Sequence, residues 1–342
     1  ITQKNTGIGV VSKDLVNSLS AKNITTLIPK DIGVKGDIYI PNNLSPGKGL
    51  KSHLRRLFWL QTAVPKIMHR CNAKYFLSPL LEAPIFTNVK SIVLAHDLIP
   101  LRYPSLSPLT FYHLIYIPII LKQSKVILCN SSSTANDLNY FYKVPRNKLF
   151  TIKLGFNNKK YFPINMIRKK FFLIIGRHNP HKNLARIIKA FSYAKINDYK
   201  LIFVGAFDER YTPRLLKIID KLNISHLCEW KGWIDDEEKL LLLNQCQALI
   251  IASLWEGFGL PALEAMACGT PIIASNRGAL PEVLGQYGYL VDPLNIQSIA
   301  DVMNEVVNDK KCFEKALYEG PLRAASFNWL STAREIEKII KD

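Results

Sequence analysis

What this sequence lacks closes off several classes of protein. No apolar stretch is long enough to span a bilayer; the most apolar run, Phe111 to Leu121, is short and broken by Pro118. The six cysteines (Cys71, Cys129, Cys228, Cys246, Cys268 and Cys312) are scattered, with no C-x-x-C and no close pair. That distribution argues against a zinc site or a disulfide framework and for reduced, buried thiols in a cytosolic protein. Negative charge is scarce: 27 Asp and Glu stand against 45 Lys and Arg, a net charge of +18. A field of that sign attracts nucleic acid, anionic lipid or phosphorylated small molecules. No helix-turn-helix, zinc-finger or RNA-recognition pattern accompanies it, so no nucleic-acid partner is expected. No signal peptide is visible, and the sequence opens on Ile1-Thr2-Gln3-Lys4 without an initiator Met.

What is present is a globular composition, 48% hydrophobic and 10% aromatic over 342 residues, which suits two domains of about 150 residues each. Short apolar strand candidates alternate with helical patterns, twice over, so the expected fold class is α/β with two doubly wound, Rossmann-like sheets facing across a cleft. The expected boundaries are residues 1–156 for the first domain, 167–324 for the second, and 325–342 for a helix crossing back to the first. Gly7-Ile8-Gly9 opens a helical pattern; no full strand precedes it, and Ile1 to Thr6 would supply only a remnant of one. His53 to Arg70 is basic and amphipathic. It fits a helix lying on an anionic membrane surface, one lining an acceptor cleft, or a core helix with a solvated basic face. Ile92 to Ala95 reads as a buried strand running into His96, at the end where α/β folds place their chemistry. Pro108 to Lys122 reads as a helix, Ser131 to Thr134 as a helix cap, and Leu149 to Asn165 as the connection between domains.

The most informative stretch lies in the second half. Ala248 to Ala252 reads as a buried strand, Glu256-Gly257-Phe258-Gly259 as a turn, and Leu260-Pro261 as the start of a helix that Gly269 stops. A strand, a glycine-bearing turn and a helix N-terminus together bind phosphate. Glu256 and Glu264 bracket that turn, and two acids there suit sugar hydroxyls, each carboxylate able to accept from a vicinal diol. The plainer alternative is that Glu256 caps the helix and Glu264 is solvated. Arg177 and Lys182 flank an earlier turn at a strand end, where two cations would neutralise a diphosphate.

Glu256-Gly-Phe-Gly-Leu-Pro-x-x-Glu264-Ala-Met-Ala-x-Gly-x-Pro resembles the signature of retaining GT-B glycosyltransferases of family 4, the group 1 glycosyl transferases. Gly176-Arg177-x-x-x-x-Lys182-Asn183-Leu184 resembles that family's diphosphate-binding turn, and His96-Asp97-Leu98-Ile99-Pro100 resembles the branch containing bacterial O-antigen and polysaccharide mannosyltransferases. The resemblance implies a hexosyltransferase that takes a nucleotide-diphosphate sugar, GDP-mannose or a UDP-sugar, with no further cofactor. It implies His96, Arg177, Lys182 and Glu256 as catalytic residues. Gly7, Gly9, Trp233, Ile234, Gly257, Phe258, Gly259, Leu260 and Glu264 would bind the donor, with Glu256 on the transferred sugar, Glu264 on the ribose, and Trp233 and Ile234 near the base. No Asp-x-Asp occurs, so metal-dependent donor binding is not expected. Gly278-Ala279 stand where the family often has two serines. From charge and the basic helix, the acceptor is expected to be a lipid-linked glycan and the protein a peripheral one on the cytoplasmic membrane face. An inactive GT-B subunit and a non-transferring nucleotide-sugar epimerase are the competing readings.

Overall fold

The computed structural model describes residues 7–19, 24–29, 36–44, 50–104, 107–309 and 311–341. The residues read as a strand remnant, Ile1 to Thr6, lie outside this set. The chain divides into two compact units, Ile1–Phe156 with Phe327–Asp342, and Asn157–Ser326.

In the first unit the strands are β1 (Leu27–Pro29), β2 (Ile38–Ile40), β3 (Tyr75–Ser78), β4 (Lys90–Ala95), β5 (Val126–Cys129) and β6 (Leu149–Thr151). Its helices are α1 (Gly7–Ser18), α2 (Leu50–Thr62), α3 (Val64–Arg70), α4 (Ile99–Arg102), α5 (Pro108–Gln123) and α6 (Ser132–Tyr142). Strands β3 to β6 form a four-stranded parallel sheet in sequential order, and β1 pairs with β2 in a separate two-stranded sheet. Leu149–Thr151, read from sequence as connecting chain, is thus an edge strand, pairing with Ile127–Cys129. The basic segment from His53 to Arg70 is two helices, interrupted at Ala63 ahead of Pro65, whose missing N–H suits the first turn of α3. Strands β4 and β5 are apolar because α5 and α6 cover them: Val93, Ile117, Ile120, Ile127 and Leu138 share one core.

The second unit holds β7 (Phe171–Ile175), β8 (Lys200–Val204), β9 (Cys228–Lys231), β10 (Ala248–Ile251), β11 (Ile272–Ser275) and β12 (Tyr289–Val291), all parallel, in the order β12-β11-β10-β7-β8-β9. That is the doubly wound order, with the winding reversing between β7 and β10. Its helices are α7 (Leu184–Ala194), α8 (Thr212–Lys221), α9 (Asp236–Gln245), α10 (Leu260–Ala267), α11 (Leu280–Leu284), α12 (Ile296–Asn308) and α13 (Lys311–Ala325). Phe172, Phe191 and Phe203 anchor its core. The last helix, α14 (Trp329–Lys341), belongs to the first unit, where the Thr332 hydroxyl donates to the Lys153 carbonyl at 2.6 Å.

One half-buried cation fastens the ends of two helices in the second unit. The Arg168 guanidinium donates to the carbonyls of Leu243 (3.1 Å), in the last turn of α9, Cys246 (3.0 Å), its C-cap, and Gly269 (2.8 Å), just past α10, where helical amides no longer supply donors. Removing it takes that donor from the buried Cys246 and Gly269 carbonyls, while Leu243 keeps a bond from the Thr270 hydroxyl at 2.6 Å. Arg168→Met is therefore expected to destabilise the second unit by roughly 2–4 kcal/mol, read as a lowered urea midpoint, with Arg168→Lys recovering only part of the loss.

Candidate functional site

The winding reversal brings the loops after β7 and β10 side by side at the carboxyl edge of the sheet. They are stitched together by backbone and side chain. The Leu254 amide donates to the His181 carbonyl at 2.7 Å, and the Asn183 side chain donates to the carbonyls of Ala252 (2.9 Å) and Pro293 (2.6 Å). Asn183 adopts a left-handed conformation (φ +62°) at the start of α7, a geometry that Asn tolerates better than most residues.

Across this seam Lys182 donates to Glu256 Oε1 at 2.6 Å, and the Ser253 hydroxyl donates to the same oxygen at 2.8 Å. Glu256 is only 8% exposed. Burial alone would raise its pKa. The Lys182 charge and hydrogen bond, the Ser253 hydroxyl and His181 outweigh that effect and hold the carboxyl below its ordinary value. Burial and the neighbouring Lys182 charge push His181 down to about 4, so that imidazole is neutral at physiological pH. Two glycines let the backbone close around Glu256. Gly259, at φ +98°, makes the sharp entry into α10. Gly278, at φ +66°, lies so close that a Cβ there would stand 2.6 Å from the Glu256 carbonyl oxygen. The Ala279 amide donates to that carbonyl at 3.0 Å.

The structure brings four of the sequence-predicted residues together: Arg177, Lys182, Glu256 and Gly259 line one small cavity, about 20 Å³, with Gly176, Ser253 and Pro261. Arg177 is exposed, whereas Lys182 is already engaged by Glu256. Gly257 and Phe258 are buried in the turn, and Leu260 is half-buried at the head of α10. Glu264 does not line that cavity. It accepts from Lys239 of α9 at 2.9 Å, and burial keeps its pKa raised despite that cation. Lys239 also stands 4.9 Å from the centre of the Tyr161 ring, and the Tyr161 hydroxyl donates to Asp236 at 3.3 Å. Trp233, 59% exposed, and the half-buried Ile234 occupy the turn between β9 and α9. Gly7 and Gly9 form the first turn of α1 in the first unit.

His96 sits in the first unit, directly after β4. Its Nε2 lies 2.8 Å from the Pro79 carbonyl, so Nε2 carries the proton and Nδ1 is the acceptor. Burial lowers its pKa more than that hydrogen bond raises it, leaving a neutral ring. The Asn130 side chain and the Thr134 hydroxyl donate to the His96 carbonyl at 2.8 and 3.3 Å. The Ser131 hydroxyl accepts from the Thr134 amide at 3.0 Å, the cap read from sequence.

Sequence reasoning missed Ser253, His181 and Lys239. Ser253 is three residues before Glu256 in a loop, with no periodicity to mark it. Lys239 did carry a signal: it is the first cation after four successive acids, Asp235 to Glu238.

Two family models cover this chain: "Glycosyltransferase Family 4" over residues 6–160 and "Glycosyl transferases group 1" over residues 158–320. The MMP alpha-(1->4)-mannosyltransferase of Mycolicibacterium hassiacum is 31% identical over 63% of this chain and 54% of its own length. The O-antigen chain mannosyltransferase RfbU of Salmonella typhimurium is 28% identical over 75% of this chain and 72% of its own. The first relatives matched are longer proteins, of which this chain spans between 20% and 58%. Among solved structures, sucrose-phosphate synthase from Thermosynechococcus elongatus superposes with a TM-score of 0.72 at 21% identity, covering 89% of this chain and 80% of that one. HepE of Anabaena, in complex with UDP and glucose, gives 0.71 at 17% identity, covering 81% of each.

The buried Glu256 makes stability pH-dependent with a definite sign. Its folded pKa is depressed below the ordinary carboxylate value of 4.5, so its contribution is fully present above that value and is lost as pH falls through the folded one. The stability gap between wild type and Glu256→Gln, measured by chemical denaturation across the acid range, is expected to be flat above pH 4.5 and to narrow below it.

Proposed function

We propose that this chain, which belongs to the group 1, family 4 glycosyl transferases, transfers a hexose from a nucleotide-diphosphate sugar to a glycan acceptor with retention of anomeric configuration. The observation that carries this reading is the Lys182–Glu256 pair at the winding reversal, with Arg177 on the same cavity. The pair sets a cation for phosphate beside a carboxylate for sugar hydroxyls. Mannose is the first candidate sugar, supported by relatives named as mannosyltransferases. GDP is the first candidate nucleotide and UDP the second, the latter being what HepE binds.

In this reading Arg177, Lys182 and the positive end of α10 take up the charge that builds on the departing diphosphate. The bond from the anomeric carbon to the diphosphate oxygen breaks. The acceptor hydroxyl oxygen then bonds to that carbon on the face just vacated, and its proton passes to the departing phosphate. Glu256 accepts hydroxyl hydrogens of the transferred sugar, released to do so as Lys182 turns to phosphate. Glu264 accepts from the ribose diol, with Lys239 offsetting part of the cost of its burial. In the first unit, neutral His96 offers Nδ1 to a hydroxyl. The acceptor is proposed to be lipid-linked and the protein to work against an anionic membrane face. Ten Lys and Arg against two acids over residues 50–136 support this, as does the name of the O-antigen relative.

The test is binding and hydrolysis of a panel of GDP- and UDP-sugars without added metal. One donor is expected to bind saturably, and Lys182→Ala to weaken it about a hundredfold or more, the loss of a charge-assisted contact in a desolvated site. Glu256→Ala should lose the sugar's contribution while still binding the free nucleotide diphosphate. Absence of binding by every donor would sink the reading.

A further inference from the structure

Helix α5 is apolar on both sides. Its inner face packs into the first unit's core through Ile117, Ile120 and Leu121. Its outer face carries Phe111, Leu114, Ile115 and Ile119, which are 58%, 58%, 66% and 43% exposed. Their spacing of three and four residues puts them in one stripe. Helix α2 lies alongside: the His53 and Tyr112 rings meet at 4.8 Å, and Gln61 donates to the Tyr116 hydroxyl at 3.4 Å. That helix exposes Leu54 and Phe58, at 55% and 70%. Single exposed apolar side chains are ordinary, but a stripe of four on one helix, with two more on its neighbour, is not.

The charge around the stripe identifies what covers it. Residues 50–136 hold ten Lys and Arg and only two acids, Glu82 and Asp97. Glu82 is neutralised by a two-point bond to Arg56 at 2.7 and 2.6 Å. Lys51, Arg55, Lys66 and Arg70, on α2 and α3, and Lys122, in the last turn of α5, are all exposed. A second copy would bring one cationic rim against another, at a cost set by like charges. A nucleic acid would use the cations and leave the stripe in water. An anionic lipid surface satisfies both, with acyl chains for the aromatic and branched side chains and headgroups for the rim. No helix among the described residues is long and apolar enough to cross a bilayer, so the element lies on the surface.

We propose that the outer faces of α5 and α2 form a membrane-docking surface, with Phe111 and Ile115 inserting among lipid chains and the Lys51/Arg55 rim reading anionic headgroups. This builds on the membrane-facing acceptor proposed above and assigns the element that makes the contact. The test is sedimentation of the whole chain with phosphatidylcholine vesicles, with and without phosphatidylglycerol. Wild type is expected to pellet with the anionic vesicles, less so at high salt. Phe111→Ser with Ile115→Ser should weaken that binding about tenfold or more, and Arg55→Ser about fivefold. Both sites are exposed, and circular dichroism checks that the variants remain folded. Equal vesicle binding by wild type and the Phe111/Ile115 variant would overturn the proposal. So would absence of vesicle binding by wild type, or a dimer in solution that the variant dissociates. Nucleotide-sugar binding is measured on the same variants and should be unchanged, so failure of the docking surface and failure of the transferase reading give different results.

Discussion

The second unit depends on a constraint of winding. From β7 the chain runs outward one way through β8 and β9, returns, and runs outward the other way from β10 through β11 and β12. Strands β7 and β10 are therefore neighbours with no crossover helix between their exits. There the two loops lie side by side, and Lys182 and Glu256, 74 residues apart, touch. A carboxylate as buried as Glu256 would cost several kcal/mol to hold ionised without a partner. The topology supplies that partner, and Asn183, clamped to Ala252 and Pro293, holds the donor loop in register.

The same logic recurs away from that seam. Glu264 is held by Lys239, the helix ends beyond Leu243 and Gly269 by Arg168, and Asp137 of the first unit by a two-point bond from Arg102. In a chain this basic most cations face water, and the few that are drawn inward are the ones with a structural or chemical task.

Much of this was legible in the sequence, for physical reasons. Apolar runs ending in glycine or a polar turn mark parallel strands buried on both faces, so β4, β5, β7, β8 and β10 could be read directly. Glu256, Gly259 and Pro261 declare a turn into a helix by residue type alone. Edge strand β6, with Phe150 and Thr151 exposed, lacks such a run and read as connecting chain. Roles were harder than positions. The sequence suggested Lys182 for phosphate and Glu256 for sugar as separate groups, because spacing along the chain says nothing about which side chains meet when no ligand is there. The outer stripe of α5 was invisible for the opposite reason, since a helix apolar all round has no amphipathic period to betray its second face.

The Lys182–Glu256 pair has a consequence for how this pocket treats small solutes. A bare lysine at a loop seam would be a standing trap for stray anions, and a bare buried glutamate one for cations. Locked together they are a closed circuit, attractive to neither. On the proposed roles, prying them apart is worthwhile only for a molecule that offers phosphate to one and hydroxyls to the other in the same instant. A pocket of that kind would work as a coincidence detector: either signal alone would leave the latch shut.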